Sequence, residues 1–252
     1  MVGRQVLAVR SKGKHLFIEL DGGMLVRSHL GLYGTWHSYP RGAPWRKPAR
    51  QASLVLETEG EVFVCFNARE VEVLSSAGFR LADAELRLGP DLTGEGLDPG
   101  LPARRARDLL APETRLVDLL LDQRVASGIG NVYKCEVLFL SRQSPRQRLG
   151  EVPNVMLEAM YGLAAELLRR NLAGGPRVTR FIGDGRGDLW VYGRADRPCF
   201  RCGTRVRRDP IGDNPRSTYW CPLCQTGPVS AATVLGPSPQ PNRSLKAREN
   251  FR

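Results

Sequence analysis

The chain has 252 residues, with 37 Lys or Arg against 26 Asp or Glu, giving a formal net charge of +11 and a sequence pI near 9.8. That balance favours a polyanionic partner, nucleic acid first, although only five lysines among the basic residues mean that part of it is a bias toward arginine. No run of about 18 apolar residues occurs and MVGRQVLAVRSKGK lacks the apolar block of a secretory signal, so we expect a soluble, cytoplasmic protein with no membrane partner.

Residues 4–80 alternate apolar and polar positions in QVLAVR, HLFIEL, SLVLET and EVFVCF, with Asp21-Gly22-Gly23 and Glu59-Gly60 as turns. This pattern predicts an antiparallel β domain over residues 1–94. The segment 88–111 is rich in Gly and Pro before it turns helical and reads as a linker. Helical periodicity then dominates a domain over 95–175, clearest in RLVDLLLDQ, NVYKCEVLFL and PNVMLEAMYGLAAELLRRNL.

In LLDQRVASGIGNVYKCEVLF, residues 120–139, Ser-Gly-Ile-Gly-Asn interrupts the helical rhythm. Such a break bares backbone N–H groups at a fresh helix N-terminus, which suits an anion, phosphate above all. The alternative is a packed helical hairpin with a glycine turn. Residues 173–190 hold too many glycines for a regular element and predict a mobile loop. The tail over 227–252 has little to bury and predicts disorder.

Between loop and tail, in a module over 176–226, stand Cys199-x-x-Cys202 and, eighteen residues on, Cys221-x-x-Cys224. Each pair sets two thiolates on one tight turn, so four sulfurs can close around a single structural zinc with no open position for water. Two disulfides or redox thiols are the alternatives. Arg194, Arg197, Arg201, Arg205, Arg207, Arg208 and Arg216 surround the cysteines and predict a basic, phosphate-reading face. Cys65 and Cys135 read as buried packing residues.

GKHLFIEL, SHLGLYGTW, LGPDL, LLDQRVASGIGNVYKCEVLF and VYGRADRPCFRCG…RSTYWCPLCQ, in this order, resemble the Fpg/Nei family of DNA glycosylases, nearer its endonuclease VIII branch. The resemblance implies an α+β multidomain fold. It combines an incomplete N-terminal antiparallel β-sandwich, a central helix-two-turn-helix domain and a C-terminal zinc-finger β-hairpin. It implies a base-excision-repair glycosylase and AP lyase with one structural Zn, a monomer acting on damaged double-stranded DNA in the bacterial cytoplasm at the nucleoid. By the same matching Lys14 is the β-hairpin lysine, the one catalytic residue of the family retained here, and His29, Asn131 and Arg216 contact DNA phosphates. Leu32 and Tyr33 fill the gap left by a flipped nucleotide. Gly31, where relatives often carry glutamine, predicts a shorter wedge. CFNAREVEVL, in place of the Asp-Pro-Arg-Arg-Phe-Gly loop of the Fpg branch, favours oxidised pyrimidines, although Arg69 remains.

Members of the family open with Pro-Glu-Gly and a helix, the proline amine forming a Schiff base with sugar C1′ while the glutamate moves protons. Residues 1–13 contain neither proline nor glutamate. The expectation is a family member without its opening segment, through a late start codon, a true truncation, or a lyase-dead role as a non-catalytic damaged-DNA-binding protein. An unrelated zinc ribbon of the ribosome or transcription apparatus is the remaining alternative.

Overall fold

The computed structural model describes residues 2–31, 33–75, 88–173 and 175–227. They form two compact units, one of residues up to 97 together with 122–128, the other of residues 98–121 together with those from 129 onward.

The first unit holds seven strands: β1 (Val6–Lys12), β2 (His15–Leu20), β3 (Met24–His29), β4 (Thr35–Pro40), β5 (Ala52–Glu57), β6 (Glu61–Phe66) and β7 (Glu70–Ser75). They make two antiparallel sheets, ordered β1-β2-β3-β7 and β4-β6-β5. Alternation decides which side chains meet. Ile18, Leu20 and Val26 of the first sheet pack with Trp36, Leu54 and Leu56 of the second, which places the core of a β-sandwich between them. β1 is an edge strand, and its Val6, Leu7 and Val9 are exposed.

Lys12 pairs with His15, leaving Gly13-Lys14 as a two-residue hairpin turn. Gly13 lies at φ +58° and donates its N–H to the Asp91 carboxylate at 2.7 Å, and a Cβ there would come within 2.6 Å of Ser127 Cβ. Only glycine suits that position. Asp91 and Ser127 are themselves joined by a parallel bridge, with Ser127 N–H on the Pro90 carbonyl at 2.9 Å. Thus SKGKH, LGPDL and RVASG, far apart in sequence, converge on one turn.

The second unit is built from α1 (Gly100–Leu109), α2 (Leu116–Leu121), α3 (Asn131–Leu140), α4 (Asn154–Arg169) and a hairpin of β8 (Arg207–Ile211) and β9 (Arg216–Trp220). α1 packs on α4, while α3 packs on α2, α4 and β9. Residues 133–139 of α3 are all buried, so the helix is central and not amphipathic. The glycine-rich stretch predicted as a mobile loop is irregular but tied down. Asn171 Nδ2 donates to the Leu167 and Val178 carbonyls at 2.8 Å, and the Thr179 and Arg180 N–H groups both reach the Asp188 carbonyl at 2.8 Å. Among the described residues no helix is long and apolar enough to cross a membrane. The predicted tail from 228 onward lies outside the described residues.

Candidate nucleic-acid interface and metal centre

In the first unit, strand register sets His15 opposite His29 and His29 opposite Glu70. The two imidazoles stack at 4.7 Å, and Arg27 reaches His15 Nδ1 at 3.4 Å. Burial, then repulsion from His29 and Arg27, lowers the His15 imidazole to about 4. Burial also lowers His29, which feels attraction from Glu70 and repulsion from the neighbouring Lys14. Lys14 is half-buried.

A buried neutral histidine has a stability signature. The unfolded chain binds the proton near pH 6.5 and the folded one only near 4, so His15 contributes fully above 6.5 and loses its contribution as pH falls toward 4. The expected loss is about 1–3 kcal/mol, given about 1.4 kcal/mol per pKa unit. His15→Phe should flatten the fall in unfolding free energy between pH 6.5 and 4, measured by urea titration. An unchanged slope would contradict the assignment.

Beyond His29 the chain turns at Gly31 (φ +66°), where a Cβ would come within 2.9 Å of Arg69 Cβ. Arg69 is held there by its N–H on the His29 carbonyl at 3.0 Å, and Asn67 N–H on the Gln51 carbonyl at 2.8 Å fixes the corner between β6 and β7. The glycine therefore accommodates Arg69, and CFNARE is a short corner rather than an extended loop. Tyr33 is 76% exposed. Leu32 lies outside the described residues.

In the second unit, α3 begins at Asn131 after Gly130, which supplies no side-chain cap to the first-turn amides. Asn131 Nδ2 donates to the Ser217 carbonyl of β9 at 2.9 Å. Lys134 Nζ donates to Asn131 Oδ1 at 2.7 Å and to Thr218 Oγ1 at 2.8 Å. Exposed Arg216 begins the same strand. The hairpin is also held along its length, with Arg146 paired to Asp209 at 3.5 Å. Its tip is held by the Asp213 N–H on the Asp118 carboxylate at 3.1 Å, and its base by the Tyr219 N–H on Cys135 Sγ at 3.4 Å. Burial raises the Asp118 carboxyl, partly offset by that Asp213 bond.

Beside this base the sulfurs of Cys199, Cys202, Cys221 and Cys224 lie within 4.8 Å of one another, with 199–224 at 3.9 Å and 202–221 at 3.4 Å. Four thiolates at the zinc distance of about 2.3 Å stand about 3.8 Å apart, so the set fits a tetrahedral metal ion. Burial opposes ionisation of Cys202, but bonds from Thr204 and its fellow cysteines bring that thiol down to about 6. Burial and the same sulfur bonds push Cys224 up. A dication would favour the thiolate form of all four. Cys65 and Cys135 are fully buried, and burial pushes both thiols up to about 11.

Family models for the formamidopyrimidine-DNA glycosylase N-terminal domain and for its H2TH domain match residues 1–72 and 90–181. "Probable endonuclease 8 2" of Streptomyces coelicolor is 42% identical over 91% of this chain and 82% of its own length. The chain belongs to the Fpg/Nei family. "DNA-(apurinic or apyrimidinic site) lyase Nei2" of Mycolicibacterium smegmatis is 39% identical over 89% of this chain and 84% of its own. Among solved structures, the formamidopyrimidine-DNA glycosylase of Lactococcus lactis, bound non-covalently to AP-site DNA, superposes with a TM-score of 0.71. It covers 88% of this chain and 82% of that one at 24% identity, which shows the fold. Thermus thermophilus MutM (Fpg) gives 0.70 at 28% identity, covering 90% and 85%. The fold is Fpg-like, with an N-terminal β-sandwich, a helical H2TH domain and a C-terminal hairpin bearing the cysteine cluster.

Several functional contacts of this Fpg/Nei chain were not predicted. Glu136 is 0% exposed, and its carboxylate accepts the N–H groups of Trp190, Val191 and Tyr192 at 2.8, 2.9 and 2.9 Å and the Thr179 hydroxyl. One α3 carboxylate thus fixes the chain entering the cysteine module. Two arginines counted toward the basic face also serve packing, although Arg201 stays exposed. Arg194 stacks on Phe200 at 3.4 Å and donates to the Trp190 and Pro198 carbonyls at 2.6 and 2.7 Å, and Arg201 lies over Phe139 at 4.6 Å.

Proposed function

We propose that this chain is a base-excision-repair DNA glycosylase and AP lyase acting on oxidised pyrimidines and abasic sites in duplex DNA, as a monomer in the cytoplasm, although residues 1–13 hold neither the family's proline nucleophile nor its glutamate. The observation that carries the reading is the attachment of the Arg216 strand to the amide end of α3 through Asn131. This joins a guanidinium fork to a helix N-terminus, two devices that suit phosphate. Lys14 and His29 supply further phosphate contacts, and Leu32 with exposed Tyr33 occupies the space vacated by a flipped nucleotide. The cysteine set holds one structural zinc, which takes no part in chemistry and fixes the hairpin. The short Asn67–Arg69 corner supports the preference for pyrimidines. Excision from duplexes carrying a single oxidised pyrimidine, compared with a single oxidised purine, tests this, and faster purine excision would contradict it.

Arg216 and Asn131 separate by charge. Arg216→Ala should weaken abasic and undamaged duplex alike and lower the salt slope by about one unit. Asn131→Ala should leave that slope unchanged and cost lesion-containing DNA alone about 1–2 kcal/mol. A salt titration on both duplexes checks both outcomes.

A further inference from the structure

We propose that Lys134 is a positioning residue for the phosphate contact of Asn131. By occupying the amide oxygen, it compels Asn131 to present N–H, and not C=O, to the DNA backbone. The inference rests on the reading of Asn131 as a phosphate contact.

A carboxamide has two ends of nearly equal shape, and only its hydrogen-bond partners decide which is which. Lys134 Nζ is a pure donor, so the Asn131 atom 2.7 Å from it is oxygen. The Ser217 carbonyl is a pure acceptor, so the atom 2.9 Å from it is nitrogen. A flipped amide would face NH₂ with an ammonium and C=O with C=O. Ser217 takes one of the two Nδ2 hydrogens, and the other is available to a phosphate oxygen. With the opposite flip a phosphate would meet the amide oxygen and be repelled.

Stability does not explain the lysine. Lys134 is 0% exposed and its hydrogen-bond partners, Asn131 and Thr218, are both neutral. Removing a cation from water against neutral oxygens is costly, and an apolar side chain of similar length would be cheaper there. Burial, opposed by attraction to Cys135 and Asp118 and reinforced by repulsion from Arg216, leaves the ammonium below its ordinary value. The cation serves the orientation of its neighbour.

The test is binding to a duplex with a single abasic-site analogue and to the undamaged duplex. Lys134→Met should weaken abasic binding by about 5–30-fold, the equivalent of the loss expected for Asn131→Ala, through which it acts. Lys134→Gln, which can still donate to Oδ1, should stay within about threefold. The double variant Lys134→Met/Asn131→Ala should bind no more weakly than Asn131→Ala alone, because Lys134 acts through Asn131. Asn131→Asp offers a check independent of the folding of Lys134→Met. Its carboxylate should pair with Lys134 and keep the fold, yet repel phosphate and bind abasic DNA more weakly than Asn131→Ala. Additive losses in the double variant, or wild-type affinity in Lys134→Met or Asn131→Asp, would overturn the proposal. Wild-type affinity in Asn131→Ala would overturn the phosphate reading and this inference with it.

Discussion

Replacing Glu136 with alanine is expected to destabilise the second unit by about 3–5 kcal/mol. The carboxylate accepts three backbone N–H groups and the Thr179 hydroxyl in a site fully removed from solvent. Without it each donor is stranded at about 1–3 kcal/mol, discounted for water entering the space. Glutamine does not rescue it. Oε2 takes Trp190 and Thr179 while Oε1 takes Val191 and Tyr192, so either flip sets an NH₂ against two donors. Chemical denaturation of wild type, Glu136→Ala and Glu136→Gln measures this. A loss under about 1 kcal/mol in both would show that the 179–192 segment is held by its aromatic and arginine contacts instead.

Cys221→Ser is expected to lose bound metal and at least tenfold in DNA affinity, approaching Arg216→Ala. Cys221 is fully buried one residue beyond β9, and its sulfur closes the set from the hairpin side. With three ligands, the binding energy that offsets the crowding of thiolates falls sharply, and the strand loses its anchor below Tyr219. Metal content by atomic absorption, paired with DNA titration, separates the two effects. A metal-free protein with unchanged affinity would show that the hairpin is held without the metal, by contacts such as those of Asn131, Lys134 and Asp118.

The β-sandwich was legible because HLFIEL and EVFVCF alternate cleanly, and each strand must turn one face to the core. Helices α2, α3 and α4 followed from their apolar period, and the cysteine cluster from its paired spacing, both local properties of the chain. What escaped is long-range. Gly13, Asp91 and Ser127 carry no mutual signal in sequence, yet they fix one turn. Glu136 and Lys134 resemble ordinary surface charges of a helix until the burial of residues 133–139 turns every face inward. The Glu136 nest lies 43 to 56 residues along the chain from its donors, beyond any periodicity. An arginine count cannot distinguish a guanidinium facing water from one that, like Arg194, is stacked on Phe200.

The proposed AP-lyase activity requires an amine that engages the sugar of a damaged nucleotide, and with no proline in residues 1–13 the candidate is Lys14. Borohydride trapping on a duplex with one abasic site measures this most directly, because reduction converts a transient imine into a stable protein–DNA adduct. An adduct should form on abasic DNA and be absent on the undamaged duplex, with Arg216→Ala lowering its yield by weakening binding. Tight, lesion-selective binding without any adduct would contradict the lyase assignment and identify a damaged-DNA-binding protein of the same family.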